Sequence, residues 1–462
     1  MDIKELYKYN LYSNFNNNIE NSIYNVENFN KKLNCLCQFY KDEFLKNSEI
    51  IKEKIKNNTQ KDLAGMIISI KDLICYQDHP VSASSKILEG FISNYNSTVV
   101  ERILTNDGLI IGHTNCDEFG MGGSNENSIY GPVHNLLDIN KTSGGSSGGS
   151  AVSVQSNMCH ISLGTDTGGS IRQPASYCNI IGFKPSYGRI SRYGIISHAS
   201  SFDVVGILGK NINDIEDIFE VISGYDNFDH SLNCDKYVKN KDIDVNKKYK
   251  IAVLDNAINI KCIQKEVKEG ILKFIDNLSN EGHDIENITF NNLEYSSAMY
   301  FTLTTIEACT NLSRYNGVNY GYRADNYKSF DEMIIKTRTE GFGDEVKKRL
   351  LMGNYLFETN KKNRYIDKAN KLREEFKDAF KKIFEKYDFI ILPVTTTTAF
   401  NIGEKCNEDN SEWDDIVVTL ASLVGYPAIS IPCGFDNNNM PFGIQIIGNI
   451  YKENSLFYFL KK

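Results

Sequence analysis

Residues 26–58 carry apolar side chains at three- and four-residue intervals among Lys and Glu, which keeps them on one face of a 3.6-residue helix; the spacing predicts one or two long amphipathic helices leading into the body. From Gly65 the texture changes. Short apolar runs at 66–70, 109–111, 160–163 and 180–183 have strand length, and helical stretches lie between them. Strands alternating with helices predict an α/β protein with a largely buried, partly parallel sheet. Residues 225–250 are polar and Asn/Asp-rich and read as a surface excursion, after which 251–254 resumes a strand and 264–278 a helix. A charged amphipathic helix over 361–387 runs into a strand at 389–392, and two strand-like runs, 428–432 and 443–447, close the chain. No internal repeat is visible.

Composition narrows the class. With 462 residues and 41% apolar side chains the chain can bury a large core, and roughly 150 residues per domain sets a soft prior of about three domains. A net charge of −8 argues against a surface that itself grips a phosphate backbone, which needs clustered Lys and Arg. The first residues, Met1-Asp2-Ile3-Lys4-Glu5-Leu6, are charged where a secretory signal needs an apolar core, and no run approaches the ~18 apolar residues of a membrane span. A soluble, cytoplasmic protein is expected. Eleven scattered cysteines suit reduced thiols, Cys35-x-Cys37 lacks a second pair, and the seven histidines are isolated, so no metal site is expected.

Candidate chemistry is concentrated in two Gly/Ser runs. Ser143-Gly144-Gly145-Ser146-Ser147-Gly148-Gly149-Ser150 stands directly before an apolar run, where a flexible linker is out of place. Gly164-Thr165-Asp166-Thr167-Gly168-Gly169-Ser170-Ile171-Arg172 follows another strand-like run. Glycines ahead of a serine let consecutive N–H groups turn into one cavity, the arrangement that holds an oxyanion; Ser170 reads as a nucleophile beside its own oxyanion hole. A phosphate cradle is the alternative, but neither run ends in the Gly-Lys-Ser/Thr of a P-loop. A serine needs a base. No histidine offers a recognisable partner: there is no Gly-x-Ser-x-Gly elbow, and His198 lies in a Ser-rich stretch without a nearby orienting carboxylate. Lys71, at the end of an apolar run, is a candidate because burial disfavours its charged form, although a snorkelling surface lysine is the bland alternative.

Together these pieces resemble the amidase signature family, whose members use a Ser-Ser-Lys triad. The intervals of 75 residues from Lys71 to Ser146 and 24 from Ser146 to Ser170 match the family's spacing. By that resemblance Ser170 is the acyl-forming nucleophile, Ser146 the bridging serine on a cis peptide, and Lys71 the general base, with the backbone N–H groups of Thr167, Gly168, Gly169 and Ser170 as the oxyanion hole. The implied fold is a large mixed, mostly buried central β-sheet covered by helices on both faces. Residues 61–462 would be a single domain, with 1–60 a helical lead packed on it.

Further runs are similar to one branch of the family: Thr114-Asn115-Cys116-Asp117-Glu118-Phe119-Gly120-Met121-Gly122, Gly182-Phe183-Lys184-Pro185-Ser186-Tyr187-Gly188-Arg189 and Glu307-Ala308-Cys309-Thr310-Asn311-Leu312-Ser313-Arg314. That branch comprises the glutamine-hydrolysing A subunits of complexes that convert Glu-tRNA(Gln) to Gln-tRNA(Gln). The resemblance implies that Tyr300, Arg349 and Asp415 hold the two ends of L-glutamine, with Asp414 a rival for Asp415; a guanidinium clamps a carboxylate and a carboxylate pairs with an ammonium. Phe301 and Lys348 stand where the branch usually has Tyr and Arg. No cofactor is implied for this chain; ATP and Mg²⁺ would act on a B subunit that also binds Glu-tRNA(Gln), with a small C subunit completing a heterotrimer. The chain stops soon after residue 454, where the branch continues with a longer terminal helix, so some terminal packing would be lost. A free-standing amidase acting on another carboxamide, and a non-catalytic assembly subunit, are the alternatives.

Overall fold

The computed structural model describes residues 12, 14–232, 236–240, 246–358, 362–404 and 415–461. Among them eleven strands form one sheet: β1 (Leu36–Phe39), β2 (Ile67–Lys71), β3 (Leu109–Thr114), β4 (Ile161–Asp166), β5 (Ile181–Lys184), β6 (Val204–Gly209), β7 (Lys250–Leu254), β8 (Asp284–Ile288), β9 (Phe389–Pro393), β10 (Ala428–Phe435) and β11 (Pro441–Gly448). Their order across the sheet is β1-β3-β2-β4-β6-β5-β10-β11-β9-β7-β8. The sheet is mixed. β3, β2 and β4 run parallel, as do β9, β7 and β8, while the strands between them pair antiparallel.

Helices cover both faces, and strand alternation decides which side chain meets which helix. In β2, Ile68 and Ile70 pack with Val99, Val100 and Ile103 of α3 (Thr98–Thr105) and with α6 (Ile212–Ile222). Ile67 points the other way, toward α1 (Phe15–Leu33), α2 (Lys41–Lys56) and α4 (Gly148–Gln155). Ser69 and Lys71 share that second face, so Lys71 leaves the strand end toward the turn ahead of α4. Farther along the sheet, α7 (Lys265–Asn280) and α13 (Glu453–Leu460) cover one face. α8 (Ser296–Leu312), α11 (Lys362–Phe384) and α12 (Leu420–Val424) cover the other. The short α5 (Arg172–Tyr177) leads into β5, and α9 (Phe330–Gly341) and α10 (Asp344–Glu358) carry the chain from α8 to α11.

Three expectations are modified. The lead is not purely helical: β1 interrupts it and pairs antiparallel with β3, extending the sheet by one edge strand. The excursion after residue 225 is tied down, because Tyr237 is buried against Phe219 and Phe457 and donates to Glu216 Oε1 at 2.6 Å; residues 233–235 and 241–245 lie outside the described residues. The helix expected over 361–387 spans Lys362–Phe384. The final helix α13 is anchored by Glu453, which pairs with Arg189 at 3.0 Å and accepts from the Ser186 N–H at 3.1 Å.

Candidate active site

Lys71 ends β2 fully buried, and its Nζ lies within hydrogen-bond distance of Ser146 Oγ at 2.8 Å, Ser147 Oγ at 2.9 Å and Thr165 Oγ1 at 3.0 Å. Burial lowers its pKa, opposed by the charges of Cys116, Asp117, Asp203 and Asp166. The Gly145–Ser146 peptide bond is cis. The Ser146 carbonyl accepts from the Asp117 N–H at 3.2 Å, and the Asp117 carboxylate in turn gathers the N–H groups of Asn125 at 2.9 Å and Asn127 at 3.2 Å. Burial pushes Asp117 up to about 6. Gly149 lets α4 start close to its neighbours: a Cβ there would stand 2.5 Å from the Cys35 carbonyl oxygen.

The second glycine run folds around Asp166. Its carboxylate accepts from Arg172 Nε at 3.0 Å and Nη2 at 2.9 Å, from the N–H groups of Gly169 at 2.9 Å and Ile171 at 3.2 Å, and from Ser422 Oγ at 3.0 Å. Burial alone would raise this acid, but the Arg172 guanidinium overcomes it and holds Asp166 below the usual range. Arg172 also donates to the Val418 carbonyl at 2.6 Å and to Gln445. This hub bends residues 167–171 into a tight turn that closes at Ser170, which is 8% exposed and whose hydroxyl has no hydrogen bond among the described residues. The Ser147 N–H donates to the Ser170 carbonyl at 3.2 Å, so the two serine loops are tied by backbone. Of the four expected oxyanion donors, Gly169, whose φ is 131°, differs: its N–H is already engaged by Asp166. Thr167 is fixed through its hydroxyl, which donates to Asp203 Oδ1 at 2.7 Å.

The three expected clamp residues approach this centre from separate elements. Tyr300, on α8, lies against Gly168; burial raises its phenol, with Arg349 opposing and Asp415 adding to the shift, so all three share one local field. Arg349, on α10, pairs with Glu345 at 3.0 Å and its guanidinium lies 5.0 Å from the Phe301 ring centroid, which gives the departure at Phe301 a packing role. Asp415 is half-buried at the start of a described helical turn, and its rival Asp414 lies outside the described residues. Sequence reading missed Asp117, Asp166, Arg172 and Asp203 as organisers, although three of them lie inside or beside runs already singled out. Among the described residues no group of three or more His, Cys, Asp or Glu is placed to hold a metal ion. Nor is any helix there long and apolar enough to cross a membrane.

A mixed sheet whose parallel strand ends bring a buried lysine to one serine loop and fold a second around an acid–guanidinium pair defines a class of serine hydrolase. The protein-family model described as Amidase matches residues 17–457, and the chain belongs to that family. It is 39% identical over 436 residues to the A subunit of the glutamyl-tRNA(Gln) amidotransferase of Prochlorococcus marinus (strain AS9601), covering 93% of this chain and 90% of that one. A protein of the same name from Macrococcus caseolyticus is 38% identical over 450 residues, 95% and 91% of the two chains. The crystal structure of the corresponding A subunit from Thermotoga maritima superposes with a TM-score of 0.78 at 30% identity, covering 95% of this chain and 89% of that one. A solved amidase at 24% identity, with a TM-score of 0.82, shares the fold.

Proposed function

We propose that this chain is the glutamine-hydrolysing component of a tRNA-dependent amidotransferase that converts Glu-tRNA(Gln) to Gln-tRNA(Gln). The observation that carries the reading is the buried Lys71–Ser146 contact, with the Ser170 loop tied beside it, in a chain whose relatives bear that component's name over most of their length. In this reading Lys71, neutral in the resting site, draws a proton through Ser146 from Ser170, which attacks the side-chain amide of glutamine. The N–H groups of Thr167, Gly168 and Ser170 hold the oxyanion, while that of Gly169 stays on Asp166 and fixes the turn; one such donor is worth roughly 10²- to 10³-fold in rate. Tyr300, Arg349 and Asp415 hold the amino-acid end. Ammonia leaves, and water then frees glutamate from Ser170.

Using that ammonia requires a second site. We read it as lying on a B subunit that binds ATP, Mg²⁺ and Glu-tRNA(Gln), joined through a small C subunit in a cytoplasmic heterotrimer; the net charge of −8 on this chain favours leaving the nucleic acid to a partner. Residues 61–462 are read as one amidase domain and 1–60 as its lead. The test is the Ser170→Ala variant, purified with its partners: it should produce no ammonia from glutamine above background, and a wild-type rate would refute the assignment.

A further inference from the structure

Buried imidazoles almost always find a partner, and among the described residues the ring of His198 has none. It is 2% exposed, and among the described residues neither ring nitrogen makes a hydrogen bond. The other buried amides with an orphaned nitrogen, Asn125 and Gln445, have their oxygens bonded, to the Gly149 N–H and to Arg172. Among the described residues His198 is the side chain with two orphaned polar atoms. An unanswered donor or acceptor inside a protein is unfavourable, and an imidazole always carries at least one N–H.

The orphaned ring does not come from a slack loop. The His198 N–H donates to Asp203 Oδ2 at 3.0 Å, and the other oxygen of that carboxylate takes the hydroxyl of Thr167 at 2.7 Å. From the opposite side, Asn311 of α8, the helix that carries Tyr300, donates to the His198 carbonyl at 3.2 Å. The backbone is therefore fixed between the loop ahead of Ser170 and the helix of the expected clamp. Burial first, then the charges of Arg349 and Lys71, hold the imidazole well below its ordinary value. The ring is uncharged at neutral pH. Buried away from bulk water, the ring would take its partner from a bound substrate.

We infer that His198 is a substrate-contacting residue whose ring N–H donates to the α-carboxylate of the bound amino acid, beside Arg349. The choice of carboxylate follows from the surroundings: Phe202, in the same loop as His198, meets the Tyr300 ring at 6.3 Å, and Arg349 lies 5.0 Å from the adjoining Phe301 ring, so a second donor on this side adds to the anion that the guanidinium holds. The inference deepens the proposed function and rests on the site being a glutamine pocket. A residue kept for substrate at the expense of packing leaves a signature that a structural histidine does not, since its replacement by an apolar ring raises stability while weakening binding.

The experiment uses the complex as it assembles, with wild type, His198→Phe and His198→Asn compared by thermal melting and by ammonia release from glutamine and from glutamine α-amide, which lacks the carboxylate. For His198→Phe the expected result is an equal or higher Tm and a KM for glutamine raised about ten-fold with kcat within two-fold. Its kinetics on the α-amide should be unchanged, and His198→Asn, which keeps an N–H donor, should recover part of the loss. If His198→Phe fails to assemble, His198→Asn alone decides: a glutamine-specific rise in KM supports the contact, and equal effects on both substrates overturn it. A KM within two-fold of wild type, or a lowered Tm with both substrates affected equally, also overturns it. Wild-type complex that releases ammonia from another carboxamide but not from glutamine refutes the proposed function, and this inference with it, before any variant is measured.

Discussion

Gly168 and the ring of Tyr300 share one small volume: a Cβ added to the glycine would stand 2.6 Å from Tyr300 Oη. Tyr300 is buried on α8 among Met299, Leu303 and Phe202, so its ring has nowhere to swing. The approach that brings Tyr300, the proposed clamp residue, against the loop ahead of Ser170 thus depends on the absence of a side chain. Gly168→Ala should displace the loop and lower glutamine hydrolysis by about 10²-fold, on the argument that misplacement of ~1 Å at a reacting centre costs that much. Adding Tyr300→Ala should recover melting temperature without recovering activity. Wild-type ammonia release from Gly168→Ala alone would show that the loop tolerates the methyl group and that the contact is incidental.

The environment of Lys71 predicts a pH profile. A general base acts in its neutral form, and burial moves Lys71 below the ordinary 10.5. The kcat/KM for glutamine should therefore rise with pH along a limb centred below that value and level off above it. Lys71→Arg, which stays protonated at every accessible pH, should be inactive throughout. A rising limb centred at or above 10.5 would contradict a buried, readily deprotonated base.

Much of this site was legible in the chain itself, because its chemistry lies in local runs. The two Gly/Ser turns occupy contiguous stretches, one just ahead of an apolar helix and one just behind an apolar strand, both apolar enough to read; Lys71 required only the end of another such run. The organisers were harder. Asp203 meets Thr167 across 36 residues and Ser422 meets Asp166 across 256, separations at which no local pattern operates. β1 escaped because only Leu36 of its four residues is fully buried, and it reads as the hinge between two helices. β8 escaped as an edge strand with polar, mostly exposed positions, so it lacks the apolar run that marked the central strands. His198 looked inert for the opposite reason: sequence shows which side chains are present, not which are left without a partner.

The acid–guanidinium pair inside the second loop should dominate its stability. Asp166 and Arg172 are both fully buried, and Arg172→Met would strand a carboxylate away from solvent while removing the ties to Val418, Gln445 and Ser422. Breaking such a pair from one side costs about 3–5 kcal/mol. Urea unfolding should register a loss of that order. Asp166→Asn combined with Arg172→Met should cost less than the sum of the single changes, because no unpaired charge remains. Additive losses would mean that the two side chains act on stability independently.

Lys184 gives a second pH prediction, in stability rather than activity. It is fully buried at the end of β5, donates to the Pro185 carbonyl at 3.1 Å, and is held down to about 7 by burial, with Asp166 and Glu453 opposing and Arg172 assisting. In the unfolded chain it titrates near 10.5. Below pH 7 both states are protonated and the cost of the buried charge is fully present. Between about 7 and 10.5 the unfolded chain binds more protons than the folded one, so stability rises with pH, by at most about 1.4 kcal/mol per unit. Lys184→Met should flatten this limb and unfold at higher denaturant than wild type at about pH 7, with the two proteins converging as the pH approaches about 10. Urea midpoints measured at intervals from about pH 7 to about 9.5 test the claim, and parallel curves for wild type and variant would show that Lys184 remains charged through that range.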